Sequence, residues 1–420
     1  MMGTRKLFQQ DVYIKEWDAE VTDITEKGVY LDSTAFFPEG GGQSCDLGIM
    51  TVIGKDNVSV KVTDVQEDGE NVVHTVSDPE SLSVGDRLHC SLDWDRRFDN
   101  MQRHCGEHIL SGIFYQECGG VNRGFHMGED YMTIDISLED EPTNPEMSKP
   151  EEVDWAMAKH CELLANKVIW SNAPVTVFRF DNREDAEKLP LRKALAFDED
   201  ISIVCVGSPE NAADCVACCG THPSTAGQVG LIKLYKVEKY KGMFRIYCEA
   251  GARALADYDM KHDMLTEMSN DRSCSVEDFP EKVRGIEAKL AEAKGQLAGL
   301  KKTILAGECD KLNAILEADE QAEPVILYTL NDMSIDDAFN MAKEYMGKAI
   351  CKGRLIMLYA PDSTSYVLVS DGNPECGPLV KEYASFYNGK GGGNDVSARA
   401  MFSTEEDASL FADLIAKHLK

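Results

Sequence analysis

The sequence predicts an α+β protein with a small N-terminal β-barrel, a mixed α+β domain, a helical linker and a C-terminal α/β domain. Short runs of alternating apolar and polar residues fill the start of the chain, which is the pattern of half-buried strands. Helical spacing of apolar residues begins at about residue 91. With 420 residues, the chain is long enough for two to four domains.

The first two domains are expected at residues 1–90 and 91–258. In the first, runs such as VTDITEKGVYLDSTAFF are separated by glycine and Asn/Asp turns, as in a small barrel. In the second, FDNMQRHCGEHILSGIFYQEC has apolar residues at helical spacing, and predicted strands and another helix follow it. The run YMTIDIS is one of those strands, so His126 is expected just before a strand.

A helical linker is expected at residues 259–320, because an apolar seam within 276–306 alternates spacings of three and four. Two interpretations stay open: the seam joins a second copy into a homodimer, or the helix packs on its own chain. Residues 321–420 alternate strand and helix patterns and predict the separate α/β domain. The seam consists of Val283, Ile286, Leu290, Ala293, Leu297, Leu300 and Ile304.

Composition limits the classes of protein that this chain can belong to. Its 43% hydrophobic and 28% charged residues are typical of a globular protein, and no apolar run is long enough to span a membrane. Because the N-terminus lacks a signal-peptide core, we expect a cytoplasmic protein whose 14 cysteines are thiols or metal ligands. A net charge of −30 argues against general nucleic-acid binding.

Two pairs of metal-ligating residue types predict one zinc ion per chain. His104 and His108 are four residues apart on a predicted helix, so both imidazoles project from one face. Cys218 and His222 are also four apart, with Gly220 between them, which indicates a tight turn. An isolated HxxxH pair is a weak indication, but two pairs in one domain strengthen it.

The sequence also permits a second set of zinc ligands. Cys215, Cys218 and Cys219 form a CxxCC cluster that, with His222, is able to bind zinc locally. Four protein ligands of either set make a closed site, whereas hydrolytic zinc sites keep one position open. The residues therefore do not decide whether zinc activates water or positions a substrate.

Several motifs together resemble the alanyl-tRNA editing domain, which occurs in alanyl-tRNA synthetase and in AlaX proteins. The HxxxH and CxxxH pairs match in order, and the chain resembles the long, free-standing AlaX type with a DHH-associated C-terminal domain at 321–420. The resembling segments are TAFFPEGGGQSCDLG, DWDRRFDNMQRH, RHCGEHILSG, CCGTHPSTAGQVGLIKL, CEAGARAL and NGKGGGNDVSARA. The resemblance implies hydrolysis of misacylated alanine tRNA, chiefly the serine ester and also the glycine ester.

The resemblance also implies roles for particular residues. His104, His108, Cys218 and His222 would be the zinc ligands. The loop from Pro38 to Gln43 would shape the pocket. Substrate contacts are expected from Gly40, Gly41, Gly42, Gln43 and Arg123.

Two positions depart from the synthetase pattern and leave the amino-acid specificity open. Glu107 stands where the synthetases have a threonine that recognises the serine hydroxyl, and the stretch from Arg123 to His126 replaces a downstream glutamine. Glu107 and His126 are the candidate catalytic or recognition residues. The alternatives are a solvated surface carboxylate and a structural histidine.

Transfer RNA is the expected partner, and its binding requires basic surface. The segment LIKLYKVEKYKGMFR follows the CxxxH turn and contains five cations and a single acidic residue. The candidate tRNA contacts are Lys233, Lys236, Lys239, Lys241, Arg245 and Lys390. An ordinary mixed surface is the alternative interpretation.

Two other functions stay open. The protein edits another misacylated tRNA, or it is a non-catalytic zinc-containing module that binds tRNA. A phosphoesterase is disfavoured, because the chain contains no Asp-His-His sequence.

Overall fold

The computed structural model describes residues 3–55, 58–196, 198–319 and 323–420. The chain divides into two compact units, Met1–Met268 and Ser269–Lys420. The first unit contains a closed six-stranded barrel and a mixed α+β part. The predicted α+β class and the N-terminal barrel are therefore confirmed.

Six strands close the barrel in the order β2-β3-β7-β6-β5-β8, and the short β1 and β4 pair outside it. Side chains along β2 alternate between exposed and buried, so its apolar residues fill the barrel interior. The strands are β1 Arg5–Lys6, β2 Glu16–Thr25, β3 Gly28–Leu31, β4 Ser33–Thr34, β5 Gly48–Val52, β6 Ser59–Asp68, β7 Asn71–Val76 and β8 Arg87–Leu92.

The α+β part has two antiparallel sheets, ordered β14-β15-β10-β9 and β11-β12-β13. Its elements are α1 Trp94–Cys118, β9 Gly120–Met127, β10 Met132–Leu138, α2 Trp155–Trp170, β11 Val175–Phe180, α3 Arg183–Ala186, β12 Ile201–Val206, β13 Asp214–Ala217, β14 Ile232–Tyr240, β15 Met243–Ala250 and α4 Gly251–Asp271. The predicted strand YMTIDIS is β10, and His126 precedes it as expected, but His126 itself lies inside β9, a strand that the sequence did not predict. The residues around His126 are polar and include glycines, which is not a typical strand pattern. They form an edge strand that pairs only with β10 among the described strands.

Helix α1 is fixed at both ends and at its junction with the barrel. Asp93 accepts a hydrogen bond from the Arg96 backbone N–H, and Gly119 ends the helix in a left-handed conformation. The fully buried Arg97 guanidinium donates to Asp46 at 2.9 Å and to the Val12 carbonyl at 2.8 Å. This pairing satisfies a buried charge, and it holds α1 against the segment that carries the barrel's glycine-rich loop.

One expectation about the cysteines is wrong. Cys205 on β12 and Cys215 on β13 are register partners, and their sulfur atoms are joined in a disulfide. Sequence spacing does not reveal such a pair, because only the antiparallel pairing of the two strands brings the residues together.

The second unit contains a long helix and a five-stranded sheet in the order β16-β17-β18-β20-β19. Strands β16 and β17 are parallel, and the other neighbours are antiparallel. Helix α5 begins the unit's regular structure, and its last turns bury Leu312 and Leu316. The elements are α5 Phe279–Ala318, β16 Val325–Thr329, α6 Ile335–Ala342, β17 Leu355–Ala360, β18 Ser365–Val369, α7 Cys376–Tyr383, β19 Lys390–Gly393, β20 Ser397–Met401 and α8 Glu405–His418.

The predicted apolar seam lies on α5, where Leu290, Leu297 and Leu300 are 53%, 55% and 63% exposed. This part of the helix therefore does not bury its apolar residues within the described chain. No helix of the described residues has the length and apolar character needed to cross a membrane.

Candidate metal centre and the cavity beside it

Four side chains converge on one point in the first unit. The ligand atoms of His104, His108, Cys218 and His222 all lie within 4.8 Å of one another. The Cys218 Sγ is 3.5 Å from His104 Nε2 and 3.3 Å from His222 Nε2. Tetrahedral zinc with ordinary Zn–S and Zn–N bonds requires S···N separations of roughly 3.6 Å. The described donor set therefore fits a tetrahedral zinc ion, with both the residue types and the spacing that this ion prefers.

The local fold explains why these residues meet. His104 and His108 lie one turn apart on α1, so their rings share a face. Cys218 and His222 lie on the turn that follows β13. At Gly220 an added Cβ would lie 2.2 Å from the His104 ring, so only glycine permits this approach.

Two of the three imidazoles are oriented by outer partners. His104 Nδ1 is 3.0 Å from Gln43 Oε1, and His108 Nδ1 is 3.0 Å from Asp214 Oδ2. Arg192 Nε in turn donates to Asp214 Oδ1 at 2.6 Å. Such partners fix the ring so that Nε2 faces the metal position, which is the usual arrangement around ligating histidines. His222 Nδ1 is buried and has no partner among the described residues.

Gln43 is therefore expected to support the metal centre. Its Oε1 also accepts from the Thr221 backbone N–H at 3.0 Å, so one side chain connects the glycine-rich loop to both ligand segments. We expect Gln43→Ala to weaken zinc affinity by about 10- to 100-fold, because the His104 ring loses its orienting partner. Competition with a calibrated chelator measures this affinity.

Ser44→Ala is the matched control, because the Ser44 side chain makes no hydrogen bond in the described chain. Equal zinc affinities for the two variants would show that Gln43 does not support the site.

The electrostatics of the cluster favour the metal-binding forms of Cys218 and His222, whereas for His108 burial is outweighed by the Cys218 thiolate and Asp214, which raise its pKa well above the usual value. Burial opposes ionisation of the Cys218 thiol, but the three surrounding imidazoles hold its pKa well below the usual range. Burial lowers the pKa of His222 to about 4, so this ring is neutral at pH 7. A thiolate and a neutral imidazole are the forms that bind zinc.

A cavity of about 390 Å³ adjoins the cluster. His108 and Cys218 are at its wall, so a bound ligand has direct access to the metal position. A cleft of about 950 Å³ at the barrel has no histidine or cysteine among its described lining residues. The smaller cavity is also lined by Gly41, Glu107, Asn122, Arg123, Gly124, Phe125, Arg192, Lys193, Asp200, Ile201, Ser202, Val216, Ala217 and Cys219.

Glu107 is a buried carboxylate at this cavity, only 6% exposed. Its Oε1 accepts from Ser111 Oγ at 2.6 Å and from Asn122 Nδ2 at 2.7 Å. Its Oε2 lies 3.9 Å from His108 Nε2. These contacts exclude the expected alternative of a solvated surface carboxylate, and they leave Oε2 with capacity to accept from a ligand.

The structure places the other predicted substrate residues in different surroundings. Gly41 and Arg123 line the cavity, and Gly41 and Gly42 have φ of 60° and 82°, which requires glycine. An added Cβ on Gly42 would lie 2.7 Å from Phe125, and one on Gly40 would be 3.9 Å from Cys219 Sγ. His126 is exposed and is not among the residues that line the cavity.

Most of the predicted tRNA contacts lie on the β14–β15 hairpin, but their charges are largely compensated. Lys233, Lys236 and Lys239 pair with Glu162, Glu238 and Glu152, respectively. Arg245 pairs with Asp135 at 2.7 Å and stacks on Tyr240 together with Lys241. Lys390 is exposed on β19 in the second unit. The hairpin is thus less basic than the sequence suggests.

Sequence reasoning missed Ser111, Asn122, Asp214, Arg192 and Lys193. Ser111 follows Glu107 by one helical turn, which indicates a shared face. Asp214 opens the motif that contains Cys218, but only the strand pairing shows that it reaches His108. Cys215, the competing ligand, is instead disulfide-bonded.

Comparisons with known proteins show similarity to aminoacyl-tRNA synthetases. Residues 6–96 match the family "tRNA synthetases class II (A)", and residues 201–247 match the "Threonyl and Alanyl tRNA synthetase second additional domain". The alanine–tRNA ligases of Pyrococcus furiosus and Thermococcus kodakarensis are 29% and 30% identical over 96% and 92% of this chain. The chain spans 42% and 40% of those ligases.

The barrel lies within the first matched segment, and Cys218 and His222 of the metal cluster lie within the second. The alanyl-tRNA editing protein AlaX-L of Pyrococcus horikoshii is 27% identical over 99% of both chains. The chain is thus similar along nearly its whole length to AlaX-L and to part of the alanine–tRNA ligases.

Proposed function

We propose that this protein is a zinc-dependent aminoacyl-tRNA deacylase that hydrolyses misacylated alanine tRNA. The serine ester is the principal substrate and the glycine ester a further one. The observation that carries the proposal is a His₃Cys cluster opening on a cavity that contains the buried Glu107 carboxylate. The similarity to AlaX-L supports an editing role.

His104, His108, Cys218 and His222 would hold the zinc ion, which when bound supplies positive charge that polarises an ester carbonyl or binds the substrate amino group. The chain's own residues then position the substrate. Glu107 Oε2 accepts a hydrogen bond from the seryl hydroxyl or the α-ammonium group, while Ser111 and Asn122 hold the carboxylate in place. A substrate that offers no hydrogen-bond donor to Glu107 Oε2 would leave this buried carboxylate oxygen unpaired and would therefore bind less well.

The glycine-rich loop contributes a donor for the negative charge that develops on the ester oxygen. Gly41 lines the cavity, and its backbone N–H makes no hydrogen bond within the described chain. A preorganised N–H at this position stabilises an oxyanion better than water does.

A second candidate is the editing of a different misacylated tRNA. Glu107 favours it, because a carboxylate at this cavity is also able to accept from a side-chain amine or hydroxyl of an amino acid other than serine. A non-catalytic tRNA-binding module with the same zinc site is the third candidate.

A panel of misacylated tRNAs separates these functions. The zinc-loaded protein is incubated with seryl- and glycyl-alanine tRNA and with mischarged non-alanine tRNAs, alongside a chelated sample. Release of serine from alanine tRNA, abolished by the chelator, is expected. Release only from a non-alanine tRNA favours the second candidate, and the absence of any release excludes an enzyme.

We also propose the domain division at residues 90, 258 and 320, cytoplasmic location, and tRNA docking through the β14–β15 cations and Lys390. Ion pairing of those cations predicts weak binding to unrelated RNA.

The exposed seam on α5 is proposed to pair with a second copy. Leu297→Glu is expected to convert a dimer into single chains, because it places a charge in an apolar contact. Light scattering measures the mass, and Lys302→Glu, on the face of the same helix opposite the seam, is the control. A wild-type protein with the mass of one chain would contradict the dimer.

A further inference from the structure

Two consecutive basic residues, Arg192 and Lys193, line the cavity beside the metal cluster. They lie between α3 and β12, outside every motif that the sequence singled out. In a chain with a net charge of −30, two cations at one cavity wall require an explanation.

Arg192 is only partly satisfied by its neighbours. It is 9% exposed, and its Nε and Nη2 donate to Asp214 at 2.6 and 3.2 Å. Its Nη1 is buried and has no partner among the described residues. Buried donors are nearly always paired, so this nitrogen is available to donate a hydrogen bond to a bound ligand.

Lys193 has no direct ion-pair partner among the described residues. It is half-buried, and it makes no ion pair or hydrogen bond within the described residues. Its charged neighbours are the cations Arg192 and Arg123 and the carboxylates Glu107 and Asp214, but Arg123 is itself paired with Glu139 and Asp214 with Arg192. Asp200 lines the same cavity but forms no ion pair with Lys193. By contrast, the nearby Lys188 pairs with Asp185.

We propose that Arg192 and Lys193 form a phosphate-binding site for the terminal nucleotide of the tRNA. This inference rests on the proposed function. The amino acid of an aminoacyl-tRNA has no free carboxylate, so the phosphodiester of the last nucleotide is the anion nearest to the scissile ester. The lysine supplies a point charge and the arginine a planar donor, both of which bind phosphate oxygens.

Equilibrium binding of uncharged tRNA tests the site. Wild type, Lys193→Gln, Lys193→Arg and the control Lys188→Gln are titrated with intact alanine tRNA and with the same tRNA lacking its terminal adenosine, at several salt concentrations. For Lys193→Gln we expect several-fold weaker binding of intact tRNA and a salt-dependence slope reduced by about 0.7. The truncated tRNA should bind all variants equally, and Lys193→Arg should behave as wild type.

Unchanged binding of intact tRNA by Lys193→Gln, or no binding by wild type, would overturn the inference. Inorganic phosphate is the competing source: if it binds through Lys193 while intact and truncated tRNA bind alike, the site serves free phosphate and the RNA assignment is wrong. Zinc content confirms that each variant is folded. Because the tRNA is uncharged, Lys193-dependent binding without any deacylation would refute only the proposed activity.

Discussion

Replacing Cys218 with alanine is expected to reduce bound zinc from one ion per chain to nearly none and to abolish ester hydrolysis. Cys218 is the only thiolate in the cluster, and its sulfur lies within 3.5 Å of two ligand nitrogens. Removing it takes away one of the four ligands and the only negatively charged ligand of the cluster. The loss should therefore exceed the roughly 10- to 100-fold effect expected of an outer partner such as Gln43.

Metal analysis after exhaustive dialysis and single-turnover hydrolysis of seryl-alanine tRNA measure both effects. Cys219→Ala is the matched control for zinc content, since Cys219 is adjacent, exposed and outside the cluster. Cys215→Ala distinguishes the competing ligand set. Full zinc in the Cys218 variant, or complete loss of zinc from the Cys215 variant, would refute the ligand assignment.

Replacing Glu107 with glutamine is expected to leave zinc in place and to slow hydrolysis by about 100-fold or more. The substitution keeps the size of the side chain but removes the negative charge and one acceptor oxygen at the cavity. Ser111 and Asn122 both donate to this carboxylate, so the amide also disturbs the hydrogen bonds that position it.

Glu117→Gln is a close control on the same helix. Glu117 is likewise 6% exposed and bonded to an asparagine, Asn144, but it does not line the cavity. Zinc content and single-turnover rates for seryl- and glycyl-alanine tRNA are compared for both variants. Equal rates for the two variants would show that Glu107 has no part in recognition or hydrolysis.

Most of the correct sequence predictions about the fold and the metal cluster came from the spacing of residues that are close together in the chain. Alternating runs predicted the barrel, and helical periodicity predicted α1 with its two histidines on one face. These features depend on neighbours along the chain, which a sequence displays directly. The four candidate ligands were named from two such local pairs, and the structure brings them together.

Contacts that depend on strand pairing, or that join residues far apart in the chain, could not be predicted from the sequence. Asp214 reaches His108 across 106 residues, and Gln43 reaches His104 across 61. The β14–β15 cations read as a basic surface because their acidic partners, such as Glu162 and Asp135, come from other elements. The environment of Glu107 was likewise misjudged, since Asn122 that covers it lies on β9.

The dependence of hydrolysis on zinc occupancy tests the central proposal most directly. Metal-free protein is titrated with zinc, and the initial rate of serine release from seryl-alanine tRNA is measured at each ratio. The rate should rise in proportion to bound zinc and reach its plateau at one ion per chain. A rate that is independent of zinc, or no serine release at any zinc content, would contradict the proposal.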